Sequence, residues 1–574
     1  MIMKRIIVNI AAAAILFGCA CACIEETFPT TVATPEKIEK SSSSMEYMMN
    51  GLSSFLMDYD TWGTSANYND WGYPCQMYMR EVMGEDFPVY DALYDYWSYI
   101  ESGSSLRYAA YYTWFYYYSF IRNANNVIAL VPDPDSAPEK SVQCLGQALA
   151  FRALMYMDLS ALYEYRTTEV ESLNAEAQAS KIMGLTVPIV DENTSKVDLQ
   201  NNPRVPFFTM YRFIMTDLNR AEKYLPGYEQ KTAANVDLGV VYGLKARLWL
   251  DMASRFDKDA SALAQQVSAE GTDEYDDLLV STAMECYAKA ADYAEKAIAR
   301  GYTPLTEDQW MDTKTGFNTA RPSWMLGTYV TSKEEVNTSY YYCSFVAQMT
   351  SEPTWSMGRY GKAFRCIGKS LYDKISDYDW RKTSWIAPED AGKTPIPEKY
   401  RTDLDAEAWT ELPAYANLKF RAGSGSLNTI ETGLIASLPL MRVEEMYFIY
   451  FEAIAHTRSV AAAAAAMTDF INTYRYDGGT YSCTAGDMSS FITELMVQRR
   501  IEFWGEGINY FAYKRLALPI TRAYTDSNWI SAHRLNSKAG YVAPWLNYVL
   551  PEYERDNNQA VILNPDPSGA IISQ

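Results

Sequence analysis

Residues 284–300 read MECYAKAADYAEKAIAR, and their spacing constrains the fold more than any other stretch of the chain. Tyr287, Ala290, Ala291, Ala294, Ala297 and Ile298 fall on one stripe of a helix, with Lys289, Asp292, Glu295 and Lys296 largely off it. Alanine along such a stripe lets a partner helix approach closely, so this helix requires a neighbour packed tightly along its length.

The same period predicts helices near 106–131, 139–164, 208–225, 234–256, 440–457, 460–475 and 488–504. Pro132, Pro134 and Pro138 separate the first two, and Pro226-Gly227 ends the third. Paired helices with short connections are the implied unit, and the 284–300 stripe is similar to the second helix of a tetratricopeptide unit. Between about 302 and 437 the helical signal thins to 366–377. Gly, Pro, Ser, Thr and aromatic residues crowd there, which predicts short strands such as 324–330 and long surface loops.

Charge and composition exclude several kinds of chemistry. Fifty basic against 71 acidic residues give a net charge of -21, which repels nucleic acid and anionic membranes at long range. With only His456 and His533 present, imidazole-based zinc or Ser-His-Asp sites have almost nothing to draw on. Neither a metal nor another cofactor is expected, and no D-x-D-x-D-G calcium loop occurs. The 46 tyrosines and 14 tryptophans exceed what a core alone needs, so some rings should face ligand or water.

The chain opens with Lys4-Arg5 and an apolar run from Ile6 to Phe17 broken only by Asn9, a pattern that predicts an export signal over 1–18. The run is too short for a stable membrane-spanning helix. Leu16-Phe17-Gly18-Cys19 resembles the bacterial lipobox, which makes Cys19 the expected lipid-anchor residue, with Cys23 the alternative acylation site. A C-x-C-x-C metal site without a second cluster cannot close a tetrahedron. Residues 19–45 then read as a lipidated flexible tether and 46–574 as one body, its N-terminal part (about 46–230) packed against its C-terminal part (about 280–574). The six remaining cysteines are scattered singly and predict small buried side chains.

Five motifs in order carry a resemblance to the SusD/RagB family of outer-membrane nutrient-binding lipoproteins. TWFYYYSFIRNANNVI (113–128) is similar to the family's Trp-Tyr-Ile-Ala-Asn helix, and ALAFRALMYMDLSALYE (148–164), followed by GLTVPIV, resembles its A-x-x-RA-x-x-Y-x-DL helix and VP turn. VVYGLKARLWLDMA (240–253), LPLMRVEEMYFIYFEAIA (438–455) and QRRIEFWGEG (498–507) are similar to three further helices. After Glu506-Gly507 the family's R-x-x-D-L is replaced by Asn509, Ala512 and Tyr513. Motif residues with this spacing are read as reporting the fold rather than the ligand. Glu502 and Glu506, four apart, could be pictured as a catalytic acid pair, but a solvated face or a partner for Arg499 is the preferred reading.

The resemblance implies an all-α dominated fold in which tetratricopeptide-like helical pairs form a right-handed superhelix carrying a loop-rich ligand-binding face and a few short strands. It implies non-catalytic capture of an oligosaccharide or polysaccharide at the outer surface of the outer membrane, and delivery to a SusC-like TonB-dependent transporter. An all-α glycoside hydrolase and a peptide-capturing RagB-like lipoprotein are the alternatives. A sugar offers an apolar C–H face and a hydroxyl rim, so rings beside polar groups suit it. Three stretches qualify: 59–74 with Trp62, Trp71 and Tyr73; 86–99 with Tyr90, Tyr94, Tyr96 and Trp97; and 340–360 with Tyr341, Trp355, Arg359 and Tyr360.

Overall fold

The computed structural model describes residues 42–58, 71–90 and 104–571. The export signal, Cys19 and nearly all of the tether lie outside these. Thirteen helices of eight or more residues occur among the described residues and are numbered here in chain order: α1 Ser42–Ser54, α2 Gly72–Val82, α3 Ser104–Ile128, α4 Glu139–Tyr163, α5 Glu171–Ala179, α6 Phe207–Tyr224, α7 Leu238–Lys258, α8 Ala260–Ala269, α9 Ala283–Ile298, α10 Val443–Thr457, α11 Val460–Tyr474, α12 Met488–Glu502 and α13 Asn509–Leu516. All eight helices expected from periodicity are present. The helices α1, α2, α5, α8 and α13 are additional, and α1 begins inside the stretch assigned to the tether.

The helices stack in series, α3 on α4, α4 on α6, α6 on α7, α7 on α9, α9 on α10 and α10 on α11. The alanine stripe of α9 explains the tightest of these contacts. Ala290, Ala291, Ala294 and Ala297 are all buried. Only small residues admit that approach. At the far edge of the stripe the His456 ring stacks on Tyr287 with centroids 3.8 Å apart, so one of the two histidines is a packing group. Side-chain caps start these helices: Asp237 accepts from the Val240 amide, Thr282 from that of Glu285 and Ser459 from that of Ala462.

The resemblance-bearing residues form buried ion pairs between stacked helices. Arg152 of α4 binds both carboxylate oxygens of Asp217 on α6 at 2.7 and 2.8 Å and reaches Asn125 on α3 at 2.8 Å. Arg247 of α7 donates to Glu445 of α10 at 2.8 and 2.5 Å. Arg515 of α13 clasps Glu452 at 2.6 and 2.7 Å. Bidentate pairs of this kind fix register as well as energy, because the planar guanidinium accepts one orientation.

Residues 299–437 depart from their expected form. The strand is Trp324–Gly327, shorter than predicted, and pairs antiparallel with Pro439–Arg442. The predicted 366–377 helix shrinks to Lys369–Tyr372. The connecting segments are not merely superficial, since they carry two cores of their own, one around Phe364, Ile386 and Trp409 and one around Val346, Trp355 and Leu434. Composition rich in Gly and Ser hid these cores, because each is assembled from single residues far apart in sequence rather than from a periodic run. The five cysteines Cys75, Cys144, Cys286, Cys343 and Cys366 are buried and Cys483 is half-buried.

Candidate functional site

The carboxylate pair proposed from α12 is neither solvated nor bound to Arg499. Glu502 is fully buried and accepts hydrogen bonds from Arg381 at 2.8 Å, Arg442 at 3.1 Å and Arg475 at 2.8 and 2.9 Å. Glu506 receives the Lys419 ammonium at 2.7 Å and Arg442 at 2.9 Å. Against a large burial penalty, the guanidinium groups of Arg475, Arg442 and Arg381 hold the Glu502 carboxyl well below the usual carboxylate range. A carboxylate so enclosed can neither protonate a leaving group nor approach a sugar, which removes the pair as an acid-base device.

The third ring-bearing stretch does come together, around Phe364. Val89 pairs with Arg365 in an isolated antiparallel bridge, and the Tyr90 amide donates to the Phe364 carbonyl at 3.0 Å. This sets the Tyr90 ring edge-on to Phe364 at 6.3 Å. The helical turn Met357–Gly361 lies on the same ring, an approach that requires glycine: a Cβ at Gly358 would sit 2.8 Å from Phe364. Ser356 caps this turn by accepting from the Arg359 amide, and Lys362 in the left-handed region (φ 58°) reverses the chain behind it.

Tyr360 projects from that turn with 74% of its surface exposed, and Tyr90 keeps 59%. Tyr341 packs edge-on to Trp355, centroids 6.0 Å apart, and burial together with the neighbouring Tyr360 hydroxyl pushes its phenol up. Arg359 is held by Glu411 at 2.7 Å and by the Glu352 carbonyl at 3.2 Å. The result is a face with two exposed rings and a half-buried third over a packed floor, with the Arg359 side chain, 11% exposed, tied down at its edge. Rings and fixed donors at one surface can stack on an apolar C–H face while bonding hydroxyls at its rim.

The other sequence candidates are distributed differently. Trp62, Tyr96 and Trp97 lie outside the described residues. Trp71 is half-buried against the main core at the start of α2. Tyr73 is a correction: it is 3% exposed on a helix rather than a loop, and its hydroxyl donates to Asp158 at 2.7 Å beside Tyr117 and Arg80. A ligand cannot reach that ring. Trp355, 5% exposed, belongs to the floor rather than the platform, wedged over Gly433, where a Cβ would overlap its ring at 2.1 Å. Sequence reading missed Phe364, the residue that joins Tyr90 to the Met357–Gly361 turn. The available signal was Gly358 beside exposed aromatics, which marks a backbone that must pass close to something.

Residues 38–250 match a SusD-like family model described as starch-binding, associating with the outer membrane. No curated protein matches the chain by sequence. Among solved structures, a SusD-like carbohydrate binding protein from Bacteroides vulgatus is similar at 20% identity with TM-score 0.64, covering 91% of this chain and 97% of that one. A SusD superfamily protein from Bacteroides thetaiotaomicron is similar at 16% identity with TM-score 0.61, covering 92% and 100%. Surface glycan-binding protein A from the same organism, in complex with laminarihexaose, is similar at 15% identity with TM-score 0.58, covering 91% and 99%. These similarities place the helix-dominated fold among SusD-like structures.

Proposed function

We propose that the chain, whose residues 38–250 match a SusD-like family model, is a member of that family and that its ring-bearing face captures an oligosaccharide or polysaccharide at the surface of the outer membrane without cleaving it. The observation that carries this reading is the pairing of exposed Tyr360 and Tyr90 with the tethered Arg359 on one floor. The enclosure of Glu502 and Glu506 in salt bridges supports capture over hydrolysis, since the acid pair singled out in the sequence is occupied. The complex of a similarly folded protein with laminarihexaose supports a glycan as the ligand class.

The body is held at the cell surface by lipid on Cys19 and covers the mouth of a SusC-like TonB-dependent transporter; the glycan lodges between them, and opening about the tethered end admits more. Affinity electrophoresis of the mature protein against a polysaccharide panel tests the capture step. Retardation by at least one glycan with no new reducing ends on prolonged incubation supports it, and sustained turnover or retardation by none overturns it. Co-purification with an outer-membrane barrel from the native membrane tests delivery, and mass spectrometry of the mature N-terminus tests the anchor.

A further inference from the structure

Away from the ring-bearing face, α4, α6, α7, α10, α12 and α13 surround a cavity of about 120 Å3. Its walls are apolar where Leu154, Phe207, Tyr211, Ile449, Ile508 and Phe511 meet, and cationic where Arg166, Arg499 and Lys514 enter. We infer that this cavity is a binding site for a small organic carboxylate, held at Lys514.

Lys514 is 4% exposed. Its ammonium donates to the Leu162 carbonyl at 2.9 Å, and no carboxylate forms an ion pair with it among the described residues. An ammonium has three donors, and a buried one left partly unused is costly. Its charged surroundings are two guanidinium groups, Arg166 and Arg204, and one carboxylate, Glu164; burial and then Arg166 hold the ammonium well below its usual range. Glu164 is already committed to Arg255 at 2.5 Å and to Arg166 at 3.0 Å. The other lining carboxylates are also committed: Asp251 accepts the Tyr211 hydroxyl at 2.5 Å, Asp158 pairs with Arg80 at 2.9 Å and Glu445 with Arg247 at 2.5 Å. Arg204 donates to backbone carbonyls and to Asn564, not to an acid.

The lining thus carries five cations, Arg166, Arg247, Arg499, Lys514 and Arg515, against four carboxylates, with Lys514 in no ion pair among the described residues, in a chain whose net charge is -21. Arg499, which lines the same space, keeps its Nε buried without a hydrogen-bond partner. A carboxylate entering past Arg166, whose side chain is 26% exposed, meets unused donors, while its organic part lies against Phe207 and Phe511. A singly charged ligand matches this modest excess of positive charge. The further oxygens of a phosphate dianion would face apolar wall.

The test is calorimetry and thermal melting of the mature chain with benzoate, glucuronate and inorganic phosphate at constant ionic strength, on wild type and Lys514→Met. The variant removes the charge at similar length, and the Leu162 carbonyl keeps the Tyr548 amide at 3.1 Å. Benzoate or glucuronate should raise the wild-type midpoint, and binding should weaken by about 10- to 100-fold in the variant, the loss of one charged hydrogen bond. Equal responses of the two proteins, no response of the wild type, or a response to phosphate alone overturns the inference. A benzoate-soaked wild-type crystal gives an independent reading: density beside Nζ of Lys514 supports the site and an empty cavity overturns it. The benzoate readouts do not involve Tyr90 or Tyr360, so glycan capture can fail or hold without affecting them.

Discussion

Arg475 holds Glu502 by two hydrogen bonds, Nε to Oε2 at 2.8 Å and Nη2 to Oε1 at 2.9 Å, with both side chains fully excluded from solvent. Arg381 and Arg442 bind the same carboxylate, and each also holds a second acid, Asp379 at 2.6 Å and Glu506 at 2.9 Å. Helix α12 is thereby tied to the end of α11, to the turn at 379–381 and to the strand Pro439–Arg442. Neutralising the shared carboxylate leaves three guanidinium groups competing for the remaining acids. Glu502→Gln is expected to lower the unfolding free energy by about 3–5 kcal/mol, the usual cost of breaking a buried ion pair from one side. Urea denaturation followed by near-ultraviolet circular dichroism measures it; a loss below about 1 kcal/mol, the value of an exposed pair, would show that the network is not a structural joint.

Acid should weaken the fold through Glu164. Despite burial, Arg166 and Arg255 hold its carboxyl down at about 2, from an ordinary 4.5. A folded-state value below the unfolded one means that the stabilisation is complete above about pH 4.5 and is lost as pH falls toward 2. About 3 kcal/mol is at stake, at 1.36 kcal/mol for each unit. Glu81 acts in the opposite direction. Burial pushes it up to about 7, so the unfolded state sheds its proton first and stability declines as pH rises from 4.5 to 7. Glu81→Gln should therefore match wild type near pH 4 and exceed it at pH 8. Denaturation midpoints of wild type, Glu164→Gln and Glu81→Gln across pH 3–8 separate the two signs, and parallel curves would refute both.

The helical body was legible because its signal is local. A 3.6-residue period over 15 or more positions survives any tertiary context, and α9 declares its close-packed neighbours through alanine alone. Short helices such as α2 and α13 escaped because nearly every residue of α2 is buried, polar ones included, so no polar face sets a period. The ion-pair network escaped for a different reason. Its partners lie on separate elements, and a carboxylate on a helix reads the same whether it meets water or three arginines. Of the candidate site, sequence supplied Tyr90, Tyr341, Arg359 and Tyr360 as separate possibilities; the contact with Phe364 that unites Tyr90 with the Met357–Gly361 turn has no local trace.

Gly507, the last residue of the FWGEG motif, shows why that motif ends as it does. Its φ is +71°, and a Cβ would lie 2.4 Å from the Met77 carbonyl oxygen on α2. The same residue donates its amide to Glu81 at 2.9 Å and accepts from Arg80 at 3.0 Å. Gly507→Ala therefore incurs both backbone strain and a collision with the backbone of α2, for an expected loss of about 2–4 kcal/mol. Thermal melting checks the size. Hydrogen exchange of the α2 amides checks the place, since protection there should fall before that of α7 and α9.

The ring-bearing face separates binding from stability, and that separation is the sharpest test of its assignment. Tyr360 and Tyr90 are largely exposed, so truncating either to alanine leaves the core intact and should move the melting midpoint little. If these rings stack on sugar, each truncation weakens the retained glycan by about 5- to 30-fold, the range of a single hot-spot side chain. Trp355→Ala should behave in the reverse manner. Its indole is packed over Gly433 and against Tyr341, so about 3 kcal/mol of stability is lost, and binding falls only through displacement of Tyr341. Titration calorimetry with the glycan found by electrophoresis, set beside melting curves for the three variants, reads both axes. Unchanged affinity in the Tyr360 and Tyr90 variants would move the ligand site off this face altogether.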